Sequence, residues 1–430
     1  MLSVVHCWLS PGPSGGGGGI AMMRLHESLL AAGVRSRVLC QLDAPDMPEI
    51  DVVPRWSWLD MTIRRLTMRL GLNDIHRVSS PLIARHPFYR EADVVHFHGL
   101  HSGFLSYLSL PALTRHKPTV FTLHDLWALT GHCASPRDCE RWRIGCGQCP
   151  YPDTHPAIQR DATSIEWRLK RWAYSRSRLT IIALNQRHAE YARQGLLGRF
   201  PIHCIPNGVD TDVFRPQDRA RCRSALGIAP DRPVVMFAAL VLDQFNKGGD
   251  LLVAALNRLP EPVRSNVTLL LVGRGGAAIR GAIDIPSVDL GIIEQPETMA
   301  AAYGAADLFV SPTRAETFSL VLAEAMACGT PLVAFDVGGV SALVRPGVTG
   351  HLTQPENPSD LAAGIAALLD DDTRRRVFGN NCRSIALAEY SAPAVTDRHI
   401  ALYETLMSGN AAPIEVSSAV DKPSSGRRAA

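Results

Sequence analysis

The stretch that decides the fold runs from Ser311 to Gly339 and reads SPTRAETFSLVLAEAMACGTPLVAFDVGG. An apolar strand, Asp307 to Val310, leads into it and turns through Pro312 and Thr313. Leu320, Leu322, Ala323 and Met326 then recur at helical spacing. Cys328-Gly329-Thr330-Pro331 ends that helix, with Gly329 at a C-cap position and Pro331 just beyond. A second apolar strand, Leu332 to Phe335, and Gly338-Gly339 follow. This is a strand–loop–helix–strand unit of a parallel sheet, with a helix N-terminus at the strand's carboxyl edge. Such an end gathers backbone N–H groups and partial positive charge, so it suits a phosphate. Two acids sit eight residues apart, Glu316 in the loop and Glu324 within the helix. A carboxylate only accepts hydrogen bonds, which suits sugar or ribose hydroxyls. The alternative is structural: Glu316 as a helix cap and Glu324 in a surface ion pair.

Glu316-x7-Glu324, followed by Ala-Met-Ala-Cys-Gly-Thr-Pro, a strand and Gly338-Gly339, resembles the nucleotide-binding signature of retaining glycosyltransferases of family 4. The resemblance implies an α/β chain with the GT-B fold, two Rossmann-like α/β/α domains facing across a cleft.

Composition agrees with that class. The chain has 430 residues, room for two domains, with 46% hydrophobic and 20% charged residues, as in soluble α/β proteins. A formal net charge of +3 is too small to point to nucleic acid. No apolar run reaches about 18 residues, so no transmembrane helix is expected. Met1 to Leu9 is apolar without a basic leader, and reads as the first strand rather than a signal peptide. Cys7, Cys40, Cys204 and Cys328 are scattered on apolar elements, as in a reduced cytosolic protein. The expected location is the cytoplasm, with contact at the inner face of the membrane as an open question.

Strand Val4 to Leu9 leads through Pro11-Gly12-Pro13-Ser14 into Gly15, Gly16, Gly17, Gly18 and Gly19, and a helix is expected from Ile20 to Ala32. The spacing is not G-x-G-x-x-G, and the residues alone also fit a flexible loop. By resemblance this loop borders the donor diphosphate and the acceptor. A strand is expected over Val34 to Gln41 and loop over residues 43–55. Trp56 to Leu72 is a basic amphipathic helix that could lie on an anionic membrane or meet a lipid-linked acceptor; a packed helix with a solvated arginine face fits equally. His96, His98 and His101 have no nearby carboxylate to complete a metal site, and His98 is expected at the cleft edge. Strand Thr119 to Leu123 delivers His124 to a carboxyl end, where open α/β sheets place ligands. By resemblance His124 stands beside the transferred sugar.

Cys133-x5-Cys139-x6-Cys146-x2-Cys149 fits a structural zinc site, with His132 as a substitute ligand; two disulfides or free thiols are the alternatives. The segment His124 to Pro150 resembles a colanic-acid or exopolysaccharide subgroup of the family. Ser164 to Ser177 reads as a solvated basic helix, and Asp210-x-Asp212 as a pair fixing the domain junction. Lys247, at a strand–loop–helix corner, can meet a phosphate. By resemblance it is the diphosphate lysine. The family's arginine some six residues earlier is absent here, where Leu240, Val241 and Leu242 stand, and Arg274 is the candidate replacement. The resemblance also assigns the base edge to the backbone at Gly291 to Ile293, Ile292 included, and the diphosphate to the amides near Phe318, Ser319 and Leu320.

The expected domains are residues 1–208 on the acceptor side and 209–390 on the nucleotide-sugar side. A helix at about 392–408 is expected to pack back on the first, and 409–430 to be a disordered tail. The resemblance implies sugar transfer from a UDP- or GDP-sugar to a saccharide or lipid-linked hydroxyl acceptor, with retained configuration and no catalytic cofactor. A sugar-nucleotide epimerase and a non-catalytic binding protein are the rivals.

Overall fold

The computed structural model describes residues 1–409, so the expected disordered tail lies outside the described residues except for Gly409. Two separate parallel sheets organise the chain. Ser3–Cys7 (β1), Arg35–Cys40 (β2), Ile50–Val52 (β3), Val94–Phe97 (β4), Thr119–Leu123 (β5), Thr180–Ala183 (β6) and Ile202–Cys204 (β7) form the first, in the order β3-β2-β1-β4-β5-β6-β7. Val234–Val241 (β8), Thr268–Arg274 (β9), Ser287–Asp289 (β10), Leu308–Ser311 (β11), Leu332–Phe335 (β12) and Gly350–Thr353 (β13) form the second, in the order β10-β9-β8-β11-β12-β13. These are two Rossmann-like sheets.

The strands are apolar on both faces because helices cover both faces. Val234, Met236 and Ala238 enter one core of the second sheet, and Val235 and Phe237 enter the other. In the first sheet Val5 and Cys7 face one core and Val4 the opposite one. Strand order reverses beside β1 and again beside β8. Carboxyl ends of strands at such a reversal leave a crevice for a ligand. The glycine run follows β1, Lys247 follows β8 and Glu316 follows β11.

Two short strands depart from the sequence reading. Residues 43–55 contain β3, and the Pro346 to Gly350 turn leads straight into β13. Each is an edge strand of three or four residues, too short for a period and held by its neighbour's register.

The chain passes between the sheets twice. Val209 N donates to Tyr390 O at 2.8 Å, and Ala392 N donates to Val209 O at 2.9 Å, so the two passages are hydrogen-bonded to each other. Beyond Ser391 the helix Ala392–Met407 packs on the first sheet, where Val395, Leu402 and Tyr403 join Val4, Leu25 and Leu29. Thr396 Oγ1 donates to Ser28 Oγ at 2.7 Å. Asp210 Oδ1 accepts from the backbone of Asp212 (2.9 Å) and Val213 (3.0 Å), so this acid is engaged in a turn at the junction.

Histidines are concentrated in the first sheet. Parallel pairing of β1 and β4 puts His6 opposite His96. His6, His26, His96, His98 and His399 are buried, and His124 lies at the cleft end of the group. Burial lowers the pKa of His26, His124 and His399 to about 4. It holds His6, His96 and His98 well below the ordinary value too. An unfolded chain takes up these protons below about pH 6.5, while the native rings stay neutral. Their contribution is therefore fully present above that pH and is lost as pH falls toward about 4, at about 1.4 kcal/mol per pH unit per group. The melting temperature should fall steeply between about pH 6.5 and 5, as scanning calorimetry can follow. A melting temperature unchanged over that interval would show that the rings accept protons in place.

Candidate active site

The second-domain wall is built on close backbone approach. Lys247 ends a single turn, Phe245–Lys247, after β8, and Gly248 takes a left-handed conformation with φ 72°. A Cβ at Gly248 would sit 1.9 Å from Pro312 O, so only glycine lets the two loops touch. That contact brings Lys247 Nζ to 2.9 Å from Glu316 Oε2, and the carboxylate raises the lysine pKa. Arg314 fastens the corner. It holds Asp250 at 2.6 and 2.8 Å, donates to Phe245 O at 2.7 Å, and its guanidinium lies over the Phe245 ring. Glycines close the far side as well: a Cβ at Gly338 would fall 1.9 Å from Glu316 O, and one at Gly339 2.0 Å from Thr317 O.

Ser319, not Glu316, caps the helix Leu320–Ala327, through Oγ accepting from Leu322 N at 3.4 Å. The Glu316 carboxylate thereby remains at the cleft with Lys247. Phe318 is buried against Tyr390, and Leu320 is half-buried at the helix mouth. Arg274 ends β9 in register with Val241, beside the positions that lack the family's arginine. It is exposed and has no ion-pair partner among the described residues. Ile292, exposed, follows Gly291, whose carbonyl accepts from Gly273 N at 2.7 Å.

On the first-domain wall the glycines are not a plain loop. Gly12–Gly15 forms a single turn and the helix Gly16–Ala31 starts inside the run, so Gly16 to Gly19 are its first turn. Space explains them. A Cβ at Gly15 would lie 2.0 Å from Ser10 O, at Gly18 2.9 Å from the Trp8 ring, and at Gly19 2.5 Å from Gly12 O. At Gly17 the nearest atom is Leu320 Cδ1, 4.0 Å away, so the two helix starts meet across the cleft. His124 stands behind Gly18, with Cγ 3.3 Å from where that Cβ would be, and meets Trp8 edge-on. His98 is buried beneath His124 at 3.0 Å rather than at the cleft edge, because Phe97 pairs with Phe121 and β5 runs on to Leu123, which carries His124 two residues further toward the cleft.

Glu324 is 6% exposed, with Oε1 2.7 Å from Arg24 Nη2 of the first domain and Oε2 accepting from Tyr303 OH at 2.9 Å. It is a buried ion pair across the two domains, neither free nor on the surface. Asn185 Nδ2 donates to Thr317 O at 2.7 Å, and Arg187 reaches Gly338 O at 3.2 Å and Asp336 at 3.1 Å. Sequence reading missed Arg24, Tyr303, Asn185 and Arg187. The one available signal was Arg24, the only arginine or lysine in the helix Gly16–Ala31.

Cys133, Cys139, Cys146 and Cys149 are all free thiols and line one small cavity with His132 and Trp142. His132 Nε2 is 3.2 Å from Cys149 Sγ, and Gly131 N donates to Cys146 Sγ at 3.2 Å. Among the described residues no three of the sulfurs come within 4.8 Å of one another, so the tetrahedron is not closed in this arrangement. The loop nevertheless reaches the second-domain wall, since Arg137 lies over the Phe245 ring at 5.0 Å. The helix Thr163–Ser175 is not wholly solvated: Lys170 is buried, donating to Trp127 O (2.8 Å) and Thr130 O (2.9 Å).

Two family models match: Glycosyltransferase Family 4 over residues 15–213, and Glycosyl transferases group 1 over residues 232–371. The D-inositol 3-phosphate glycosyltransferase of Nocardia farcinica is 39% identical over 207 residues, 44% of this chain and 46% of that protein. The D-inositol 3-phosphate glycosyltransferase 1 of Catenulispora acidiphila is 37% identical over 223 residues, 48% of this chain and 52% of that protein. The alignment thus spans about half the length of these curated relatives. Among solved structures, sucrose-phosphate synthase from Thermosynechococcus elongatus superposes with a TM-score of 0.69 at 22% identity, covering 95% of this chain and 100% of that one. Anabaena Alr3699/HepE in complex with UDP gives 0.66 at 19% identity, covering 94% and 100%. These likenesses establish the fold. Residues 15–213 thus resemble Glycosyltransferase Family 4 and residues 232–371 the group 1 glycosyl transferases, on the two sheets of a GT-B fold.

Proposed function

We propose that the protein is a retaining glycosyltransferase that moves a sugar from a nucleotide-diphosphate donor to a hydroxyl acceptor. The carrying observation is the Lys247–Glu316 pair, 2.9 Å apart at the mouth of the helix Leu320–Ala327 and facing the glycine-rich helix start of the other domain. Retention without a side-chain nucleophile places the burden on stabilising the leaving diphosphate. Lys247 and the amides from Phe318 to Leu320 serve that end. Glu316 holds sugar hydroxyls, Glu324 the ribose, and His124 with Gly15 to Gly19 closes the site from the first domain. Arg274 supplies the second cation and the backbone at Ile292 meets the base. Closure of the cleft excludes water.

The test is thermal stability against UDP, GDP, ADP and dTDP, followed by turnover. One nucleotide at about 100 times Kd adds about 2.7 kcal/mol to the folded state, a shift of a few degrees. That shift should vanish in Glu324→Ala. Lys247→Ala should slow transfer ~10²–10³-fold. Near-wild-type turnover in that variant would remove Lys247 from the site. Loss of donor without a glycosylated acceptor would favour the epimerase, and no shift with any nucleotide or whole donor would favour a scaffold.

Two acceptors have separate support. The relatives' name supports an inositol phosphate. The helix Ser57–Arg69 supports a lipid-linked saccharide: Trp58 is 75% exposed and Leu66 62%, beside exposed Arg55, Arg64, Arg65 and Arg69. The acid Asp60 points inward to Ser79, so the exposed face carries cations and apolar side chains but no carboxylate, which suits an anionic bilayer. Sedimentation with phosphatidylglycerol vesicles should carry the protein down, and Trp58→Ala with Arg64→Glu should leave it in the supernatant. Equal recovery with neutral phosphatidylcholine vesicles would refute the charged-surface reading, and transfer to D-inositol 3-phosphate without vesicles would select the soluble acceptor.

We also propose that the four thiols hold a structural zinc. The spacing, the shared cavity and the amide donated to Cys146 Sγ support it. Its role would be to fix the loop that sets Arg137 on Phe245. Protein purified without added metal should contain about one zinc per chain, released when the thiols are titrated with a mercurial. Four freely titrating thiols with no metal would refute it.

A further inference from the structure

A line of three imidazoles runs from the cleft into the core of the first domain. His124 Nε2 lies 3.0 Å from His98 Nδ1, and His98 Nε2 lies 2.9 Å from His6 Nδ1. The inner end is blind: His6 Nε2 is buried with no hydrogen-bond partner. The outer end is open. His124 Nδ1 has no partner among the described residues, and the ring borders a small cavity at the domain junction with Thr122, Asn207 and His399. Neighbouring rings do not intrude on the line. His96 bonds aside to Tyr403 OH and Thr122 Oγ1, both at 2.7 Å, His26 to Ser36 Oγ at 2.8 Å, and His399 to Val395 O at 2.9 Å. Asp125, next to His124 in sequence, is paired with His101 at 2.7 Å.

Counting protons leaves two consistent settings. Each neutral ring owns one proton and each of the two hydrogen bonds uses one. In the first setting every Nε2 carries the proton, and the chain ends in a His6 N–H buried without an acceptor. In the second every Nδ1 carries it: His6 donates to His98, His98 donates to His124, and His124 Nδ1–H is left for the cleft. Buried N–H groups without an acceptor are the rarer defect in folded proteins, and leaving a buried donor unmade costs about 1–3 kcal/mol. The outer end favours the same setting, because a leaving diphosphate or a sugar oxygen calls for a donor. We propose that His6 and His98 are positioning residues that hold His124 as its Nδ1–H tautomer, so that it presents a neutral hydrogen-bond donor to the sugar donor in the cleft. This rests on the transferase reading. Burial keeps all three rings neutral through the physiological range, so the donor would be constant in strength there.

The test pairs imidazole ¹⁵N NMR of the full chain with kinetics. In the wild type the long-range N–H correlations of His124 should mark Nδ1 as protonated. His98→Leu, which breaks the line, should lose that pattern and lower kcat about tenfold with donor KM unchanged, the scale of one hydrogen bond. His98→Gln should restore much of both, since its amide oxygen can accept from His6 and its amide nitrogen donate to His124. His6→Phe keeps a ring of similar size in the core and should release the tautomer in the same way, with thermal melts confirming that each variant is folded. An Nε2–H tautomer in the wild type overturns the proposal, as does equal impairment of His98→Gln and His98→Leu. So does a tightly held transition metal lost in His6→Phe, because His6, His96 and His98 have ring nitrogens within 4.8 Å of one another. The NMR needs no turnover, so a protein that transfers no sugar would sink the transferase reading while leaving the tautomer measurable.

Discussion

Backbone touching backbone is the constraint on which the site depends. The loop from Pro312 to Ser319 is gripped by Gly248 on one side and by Gly338 and Gly339 on the other, at distances that no Cβ could share. Three loops from three strands are thereby fixed without side chains between them, and the side chains stay available for chemistry. Lys247 meets Glu316 because Gly248 meets Pro312. The grip extends to the first domain, since Asn185 and Arg187 bond to Thr317 and Gly338, residues of the same junction. Substituting any of these glycines would displace a main chain rather than a flexible side chain, so strain could not relax locally.

Electrostatic pairing is the second theme. Each acid of the signature already has a cation, Lys247 for Glu316 and Arg24 for Glu324. Neither carboxylate is left bare at the cleft, where an unpaired negative charge would repel an anionic ligand. The Arg24 pair is also a contact between domains, so the Glu324 carboxylate and the relative placement of the two walls are coupled through one guanidinium. Tyr303 fixes the other oxygen of Glu324 and so sets the direction in which the carboxylate points.

What the sequence disclosed follows from range. Glu316, Glu324, Ser319 and the glycines after Phe335 lie within one strand–helix–strand unit, and local spacing suffices to read them. Their partners do not. Arg24 meets Glu324 from 300 positions away, and His6 meets His98 from 92. No periodicity links such residues; only the order of strands does. The glycine run misled for a different reason. With no side chains there is no apolar stripe to mark a helix, so Gly16 to Gly19 read as loop although they form a first turn against Trp8. Lys170 misled through composition, since a lysine among arginines looks solvated, yet this one is drawn inward by two carbonyls and the Trp127 ring.

The two hydrogen-bonded passages between the sheets have a mechanical consequence. A single connecting strand would let the two halves swivel in any direction. Here Val209 is tied on both sides, to Tyr390 and to Ala392, so two adjacent strands act as a pair of pivots on one line. Motion of one half against the other is then reduced to a swing about that line, with the far rim of the cleft travelling most. Opening and shutting would then follow one track, and a contact between the halves such as Arg137 on the Phe245 ring would part as the cleft widens.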